Sequence, residues 1–257
     1  LEANDERRIC AYVNGLKMYY ELHGEGRPLV LLHGGGVHTI DLTFGPMLPA
    51  LAANRQVIAV EMQGHGHTAD IDRDFTIESL AGDIVALLDQ LGLDRADFFG
   101  FSVGGLTALR IAMLHPERVD RLVLASTQYQ LAGYYPEIQH SELPNGHLRL
   151  PTPADFQEMR EAYTAVSPTP DAFMTFLPRV SQAPNTIGEW TADDLRNVSS
   201  PTLMIIGDTD FVRLEHAAEM HEILADSRLA VLPNTTHMAV MRQPELVLPM
   251  VSAFLER

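Results

Sequence analysis

Gly100, Phe101, Ser102, Val103 and Gly104 form a GxSxG pattern directly after the apolar run Ala96 to Phe99 and directly before the helical pattern Leu106 to Leu114. A serine on so sharp a strand-to-helix turn needs small neighbours on both sides, and Gly100 and Gly104 supply them. The helix N-terminus that follows adds partial positive charge where an oxyanion would form. The chemistry this suits is nucleophilic attack by a serine hydroxyl. Other reactive side chains are less well placed. Cys10 is the single cysteine, so no intramolecular disulfide forms. No Cys/His spacing supplies a four-ligand zinc site. His65 and His67 are close in sequence but lack a third ligand nearby, and they read as loop bracing rather than as a metal centre. Neither a metal nor a cofactor is expected.

Positioning that serine requires strands alternating with helices. Cys10 to Val13 and Leu16 to Leu22 flank Asn14 and Gly15, whose tolerance of positive φ suits a hairpin. Pro28 to Leu32 and Val57 to Val60 are short apolar runs ending in glycine-containing loops, as expected of strands buried on both faces. Ala96 to Phe101, Val119 to Ala125, Thr202 to Ile206 and Leu229 to Leu232 continue the series. Ile77, Leu80, Ala81, Ile84, Val85, Leu88 and Leu91 recur at helical spacing behind Thr76, a suitable N-cap, and Gly92 follows the last turn. Such alternation implies parallel crossovers with helices on both faces of the sheet. The segment 128–190 interrupts it with eight of the 16 prolines, four of the seven tyrosines and the only tryptophan. Insertions of this length are usually lids or binding elements, so a core of 1–127 and 191–257 with a small helical cap at 128–190 is expected.

Composition narrows the function class. The chain has 257 residues, which α/β layer folds commonly occupy as one unit, and 46% of them are hydrophobic, which excludes disorder. A formal charge of −16 repels phosphate backbones and anionic bilayers, so neither nucleic acid nor a membrane is an expected partner. No run approaches the roughly 18 apolar residues that span a bilayer. The first residues read as no secretory signal, so a cytoplasmic enzyme is expected, with Leu1 and Glu2 as an added remnant and homo-oligomerisation left open.

From about Val13 to Leu255 the chain resembles the α/β-hydrolase superfamily. The resemblance implies a mostly parallel eight-stranded sheet with an N-terminal antiparallel hairpin, helices on both faces and a small helical cap. It also implies an oxyanion loop after the third strand, where this chain has His33, Gly34, Gly35 and Gly36. By the family pattern the oxyanion donors are the backbone N–H groups of Gly35 and Val103, with Gly36 an alternative, and His33 braces the loop. The family order of nucleophile, acid and histidine places the acid in Gly207, Asp208, Thr209, Asp210, where the second aspartate is chosen, and the base at His237. One departure is Thr236, where the family usually has glycine. The loop from Glu61 to Thr68 is similar to a structural loop of the family, with Glu61 and Gln63 in place of aspartate and arginine. Phe101, Tyr129, Tyr134 and Met238 are the expected substrate-pocket residues.

The implied chemistry is acyl transfer by a Ser102–His237–Asp210 triad. Serine at position 102 argues against dehalogenases and epoxide hydrolases of this superfamily, whose nucleophile is aspartate. Esters of small to medium hydrophobic groups are the first expectation; lactone, C–C bond and perhydrolase chemistry share the same triad. The extension to Gly105 resembles the lactonase and perhydrolase branch, though a second glycine also eases helix packing. A small-ligand binding protein on the same fold is the reading of a different class, and the intact triad residues argue against it.

Overall fold

A computed structural model of the chain describes residues 8–36, 38–139, 149–187 and 190–256. The expectations for Leu1 and Glu2, and the parts of the expected cap at 140–148 and 188–189, lie outside the described residues. Eight strands, β1 (Arg8–Val13), β2 (Leu16–His23), β3 (Arg27–Leu32), β4 (Arg55–Glu61), β5 (Ala96–Phe101), β6 (Val119–Ala125), β7 (Thr202–Gly207) and β8 (Ser227–Leu232), form one sheet in the order β1-β2-β4-β3-β5-β6-β7-β8. Pairing is antiparallel for β1 with β2 and β2 with β4, and parallel from β4 through β8. The opening hairpin turns on Asn14 (φ 47°) and Gly15 (φ 82°), the positive-φ pair that a two-residue connection demands. The expected fold class is therefore the observed one.

Helices α1 (Ile40–Phe44), α2 (Leu48–Leu51), α3 (Ile77–Gln90) and α4 (Val103–Leu114) follow β3, β4 and β5 in the manner of crossovers. Alternation along the strands divides the core into two layers, with Val30, Ile58 and Phe98 buried on the side of α3 and α4. Leu29, Val57 and Phe99 are buried on the other side, against α1, α2 and the last helix, α10 (Pro244–Leu255). Each such side chain contributes about 1.5–3 kcal/mol by leaving water. α3 starts where the sequence places it, with the Thr76 side chain accepting from the Ser79 N–H at 3.1 Å.

Between β6 and β7 the described chain forms α5 (Pro136–Gln139), α6 (Pro153–Val166), α7 (Phe173–Ser181) and α8 (Ala192–Arg196), and α9 (Leu214–Ile223) follows β7. α6 is set by a capping box in which Thr152 accepts from the Asp155 N–H at 3.2 Å and Asp155 returns the favour to the Thr152 N–H at 2.7 Å. Its inner face buries Met159 and Tyr163, and α7 buries Phe173, Phe176 and Val180. Phe176 packs edge-on against His65 and Phe75 of the core at centroid distances of 5.7 and 5.5 Å. Charged contacts tie these helices to the core: Arg179 to Asp70, and Arg242 to Asp155 and Glu158, both at 2.5 Å.

Candidate active site

Ser102 sits between β5 and α4 with φ 52° and ψ −116°, a conformation that strains a non-glycine residue. The surrounding backbone imposes it. The Ser102 N–H donates to the Ala125 carbonyl at 2.9 Å, prolonging the β5–β6 ladder, while its own carbonyl accepts the Leu106 N–H at 2.9 Å and opens the helix. At Gly104 any Cβ would run into the Leu32 and His33 carbonyl oxygens, so the tight approach of α4 to β3 needs that glycine. The elbow follows from the spacing read in the sequence.

His237 and Asp210 are brought together from loops after β8 and β7. His237 Nδ1 lies 2.7 Å from Asp210 Oδ1, and both residues are almost fully buried. Asp210 Oδ1 also accepts the Val212 N–H at 3.1 Å, and its Oδ2 accepts the Ser126 hydroxyl at 2.5 Å. Burial alone would raise the Asp210 pKa. The His237 charge and the hydrogen bonds from His237, Ser126 and Val212 outweigh it and hold the carboxyl below its ordinary range. The His237 ring is stacked on Phe211 at 3.6 Å between centroids and lies 5.0 Å from Phe101. Asp208 does a different job: its carboxylate accepts the Asn234 and Thr235 N–H groups at 2.8 and 3.0 Å, stitching the acid loop to the histidine loop.

Thr236 causes no strain where the family usually has glycine, because the positive φ of this loop falls at Asn234 (φ 51°). Thr236 remains free to accept the Ala239 and Val240 N–H groups at 3.0 and 3.2 Å, which starts the short turn below the histidine.

Ser102 and His237 open onto one cavity of about 550 Å³, together with Gly35, Gly36 and Val103. Among the described residues, the N–H groups of Gly35 and Val103 have no intramolecular acceptor, so both can serve a ligand oxygen. A Cβ on Gly35 would come within 2.8 Å of Val103 Cγ2 and 2.9 Å of Val180 Cγ1, so the glycine loop, the serine turn and α7 meet at this point. Ser102 Oγ itself has no hydrogen bond among the described residues. His33 braces the loop: its Nδ1 donates to the Gly34 carbonyl at 2.8 Å and its Nε2 accepts the Met62 N–H at 3.0 Å. Burial lowers the pKa of that ring.

Of the expected pocket residues, Phe101, Tyr134 and Met238 line the cavity and Tyr129 does not. Tyr129 is turned beneath the surface, stacked on His216 at 4.7 Å with its hydroxyl donating to Glu219 at 2.7 Å. A phenol beside a helix carrying both partners satisfies its polar end there rather than in an apolar cavity. Leu131, Ile138, Phe156, Met159, Leu177 and Val180 supply most of the remaining apolar wall. Among the described residues no group of three or more His, Cys, Asp or Glu is placed to hold a metal. Glu61 accepts the Ile40 N–H at 3.1 Å and the His67 ring at 2.8 Å, and His65 Nδ1 bonds the Gln63 carbonyl at 2.8 Å, so this loop is braced as read. None of the described helices is long and apolar enough to cross a membrane.

Sequence reasoning missed Ser126, Phe211 and Arg149. Arg149 donates to the Asp210 carbonyl at 2.6 Å and lies over the Tyr135 ring at 3.7 Å. The only available signal was position, since Ser126 directly follows β6 and Phe211 directly follows the acid.

A family model described as alpha/beta hydrolase fold matches residues 27–176. The chain is 31% identical to a pimeloyl-[acyl-carrier protein] methyl ester esterase of Photobacterium profundum, over 88% of this chain and 93% of that protein. It is 28% identical to a 2-hydroxy-6-oxo-2,4-heptadienoate hydrolase of Pseudomonas putida, over 90% of each chain. Among solved structures, the enol-lactonase from Burkholderia xenovorans LB400 superposes with a TM-score of 0.75 at 24% identity, covering 97% of this chain and all of that one, a likeness of fold. Strand order, the strained serine turn and the sequence match agree: this chain belongs to the alpha/beta hydrolase fold family.

Proposed function

We propose that the protein is a serine hydrolase that cleaves carboxylic esters of neutral, hydrophobic substrates through an acyl-enzyme. The observation that carries this reading is the Asp210–His237 hydrogen bond of 2.7 Å, whose imidazole opens, with Ser102, onto an apolar cavity. In the mechanism, His237 takes the Ser102 proton as the oxygen attacks the ester carbonyl and then returns it to the leaving alcohol. Asp210 fixes the tautomer with the proton on Nδ1 and stabilises the imidazolium. The Gly35 and Val103 amides receive the oxyanion, where one donor is typically worth about 3 kcal/mol. Water activated by His237 then deacylates Ser102. The described part of the segment 128–190 serves as the cap that closes the apolar side of the cavity.

Two features favour an ester over the neighbouring chemistries. The substrate named for the Pseudomonas putida relative is a carboxylate, whereas no Lys or Arg is among the described residues that line this cavity. A chain of formal charge −16 offers no field to compensate. Gly105, the other lead toward the lactonase branch, has a structural reason: a Cβ there would overlap Thr127 Oγ1. The test is labelling with a fluorophosphonate, location of the adduct by peptide mass spectrometry, and a screen of aryl esters against Ser102→Ala. An adduct at Ser102 and turnover lost in the variant are expected. Labelling elsewhere, or equal rates in the variant, would overturn the assignment.

A further inference from the structure

On the solvent side of α6 and α7 lies a second, larger groove of about 880 Å³, lined by residues that include Phe173, Met174, Leu177, Phe156 and Ala165. Phe156 and Met174 are 41% and 65% exposed there. Phe156 and Leu177 line this groove and also line the cavity that holds Ser102. The partition between the two spaces is therefore only these side chains thick at the α6–α7 seam. Helix geometry explains the shared wall. On α6, Asp155, Met159 and Tyr163 are buried while Gln157, Arg160, Glu161 and Thr164 face the groove, so Phe156 sits at the border of the two faces. On α7, Phe173, Phe176 and Val180 are buried and Leu177 occupies the corresponding border.

We propose that the groove is a tail site for the same substrate: an unbranched alkyl chain attached to the reacting ester passes between Phe156 and Leu177 and lies along Met174 and Phe173. This rests on the ester-hydrolase reading and extends it to long-chain, uncharged esters. The wall shared with the cavity of Ser102 selects this occupant, since displacing Phe156 and Leu177 joins the two spaces. The polar margin of Gln157, Arg160 and Glu161 would flank the chain without having to be desolvated. Each methylene buried there is worth roughly fourfold in affinity.

The experiment compares wild type with Met174→Glu and Leu177→Trp, the first placing a carboxylate in the groove and the second thickening the partition. p-Nitrophenyl butanoate and dodecanoate give the ratio of long- to short-chain kcat/KM, and calorimetric binding of decan-1-ol gives a readout independent of turnover. Expected are a fall of about tenfold or more in the ratio for both variants and a matching loss of decanol affinity. An unchanged ratio and unchanged decanol binding, with Ser102 still labelled by fluorophosphonate, would overturn the tail site and leave the hydrolase reading intact. Failure of Ser102 to label would instead sink the hydrolase reading, and decanol binding would then decide the groove alone. A dimer in size-exclusion chromatography that Met174→Glu dissociates would also overturn the proposal, since a second copy would then fill the groove.

Discussion

Ser126→Ala would leave Asp210 Oδ2 buried without its 2.5 Å donor, a loss worth about 1–3 kcal/mol in such surroundings. The hydroxyl stabilises the ionised carboxyl, so its removal raises the Asp210 pKa, and the acid limb of the kcat profile should move to higher pH. A mere packing defect would lower the melting temperature without moving that limb. The same contact makes a stronger demand. Ser126 has φ 52°, a region that aspartate tolerates better than most residues, and its side chain already reaches the acid. Asp210→Asn alone should reduce kcat by about 10⁴-fold, because it favours the wrong imidazole tautomer. Ser126→Asp added to it should recover part of that rate; no recovery would show that position 126 cannot address His237. The three expected triad residues were legible because each stands at a strand end with its own local pattern. Ser126 was not, because a serine after β6 announces nothing until β7 delivers Asp210 beside it, and Tyr129 was misplaced because its partners sit on α9, 87 and 90 residues away.

At the level of elements, the strand pattern was legible since buried parallel strands write themselves as short apolar runs, and β8 differs only by two further residues at its start. The short helices α1 and α2 escaped notice because four or five residues carry too little periodicity. The seating of α4 on β6 gives a stability test. Gly105→Ala should lower the melting temperature by several degrees through overlap with Thr127 Oγ1, and Thr127→Ala in the same chain should restore much of it. If the double variant melts no higher than Gly105→Ala, the overlap is not the cause. The cap segment gives a kinetic test. Arg242 bonds Asp155 and Glu158 of α6, both at 2.5 Å, from the turn just beyond His237. Arg242→Ala should raise KM severalfold for hydrophobic esters with a smaller change in kcat, since the contact is half-exposed and positions the wall rather than the triad. A pure kcat loss would relocate its role to the histidine loop.

For the molecule as a whole, four histidines titrate below their ordinary range because burial disfavours the charged ring: His33, His38 at about 3, His65 and His216. His38 is further opposed by the positive charges of His33, His237 and Arg242. The folded pKa values lie below the unfolded value near 6.5, so between the two the unfolded chain binds more protons. Their contribution is complete above about pH 6.5 and is lost as the pH falls toward the folded values, with a slope of about 1.4 kcal/mol per pH unit for each such ring. Denaturant titrations between pH 8 and pH 4 should therefore show stability declining from near pH 6.5, before the carboxylates take up protons, and His65→Phe should flatten the slope. A flat profile down to pH 5 would contradict it. Tyr134 bridges Val212, the Tyr135 N–H donates to the Phe211 carbonyl at 3.0 Å, and the Arg213 N–H donates to the Gly133 carbonyl at 2.8 Å. The start of the insertion is thus clasped to the very loop that carries Asp210. On the proposed function, any swing that admits a bulky ester must pivot about this clasp and leave it fastened, or else pull the Asp210 carboxylate off the His237 imidazole, so substrate admission and the proposed proton relay share one mechanical joint.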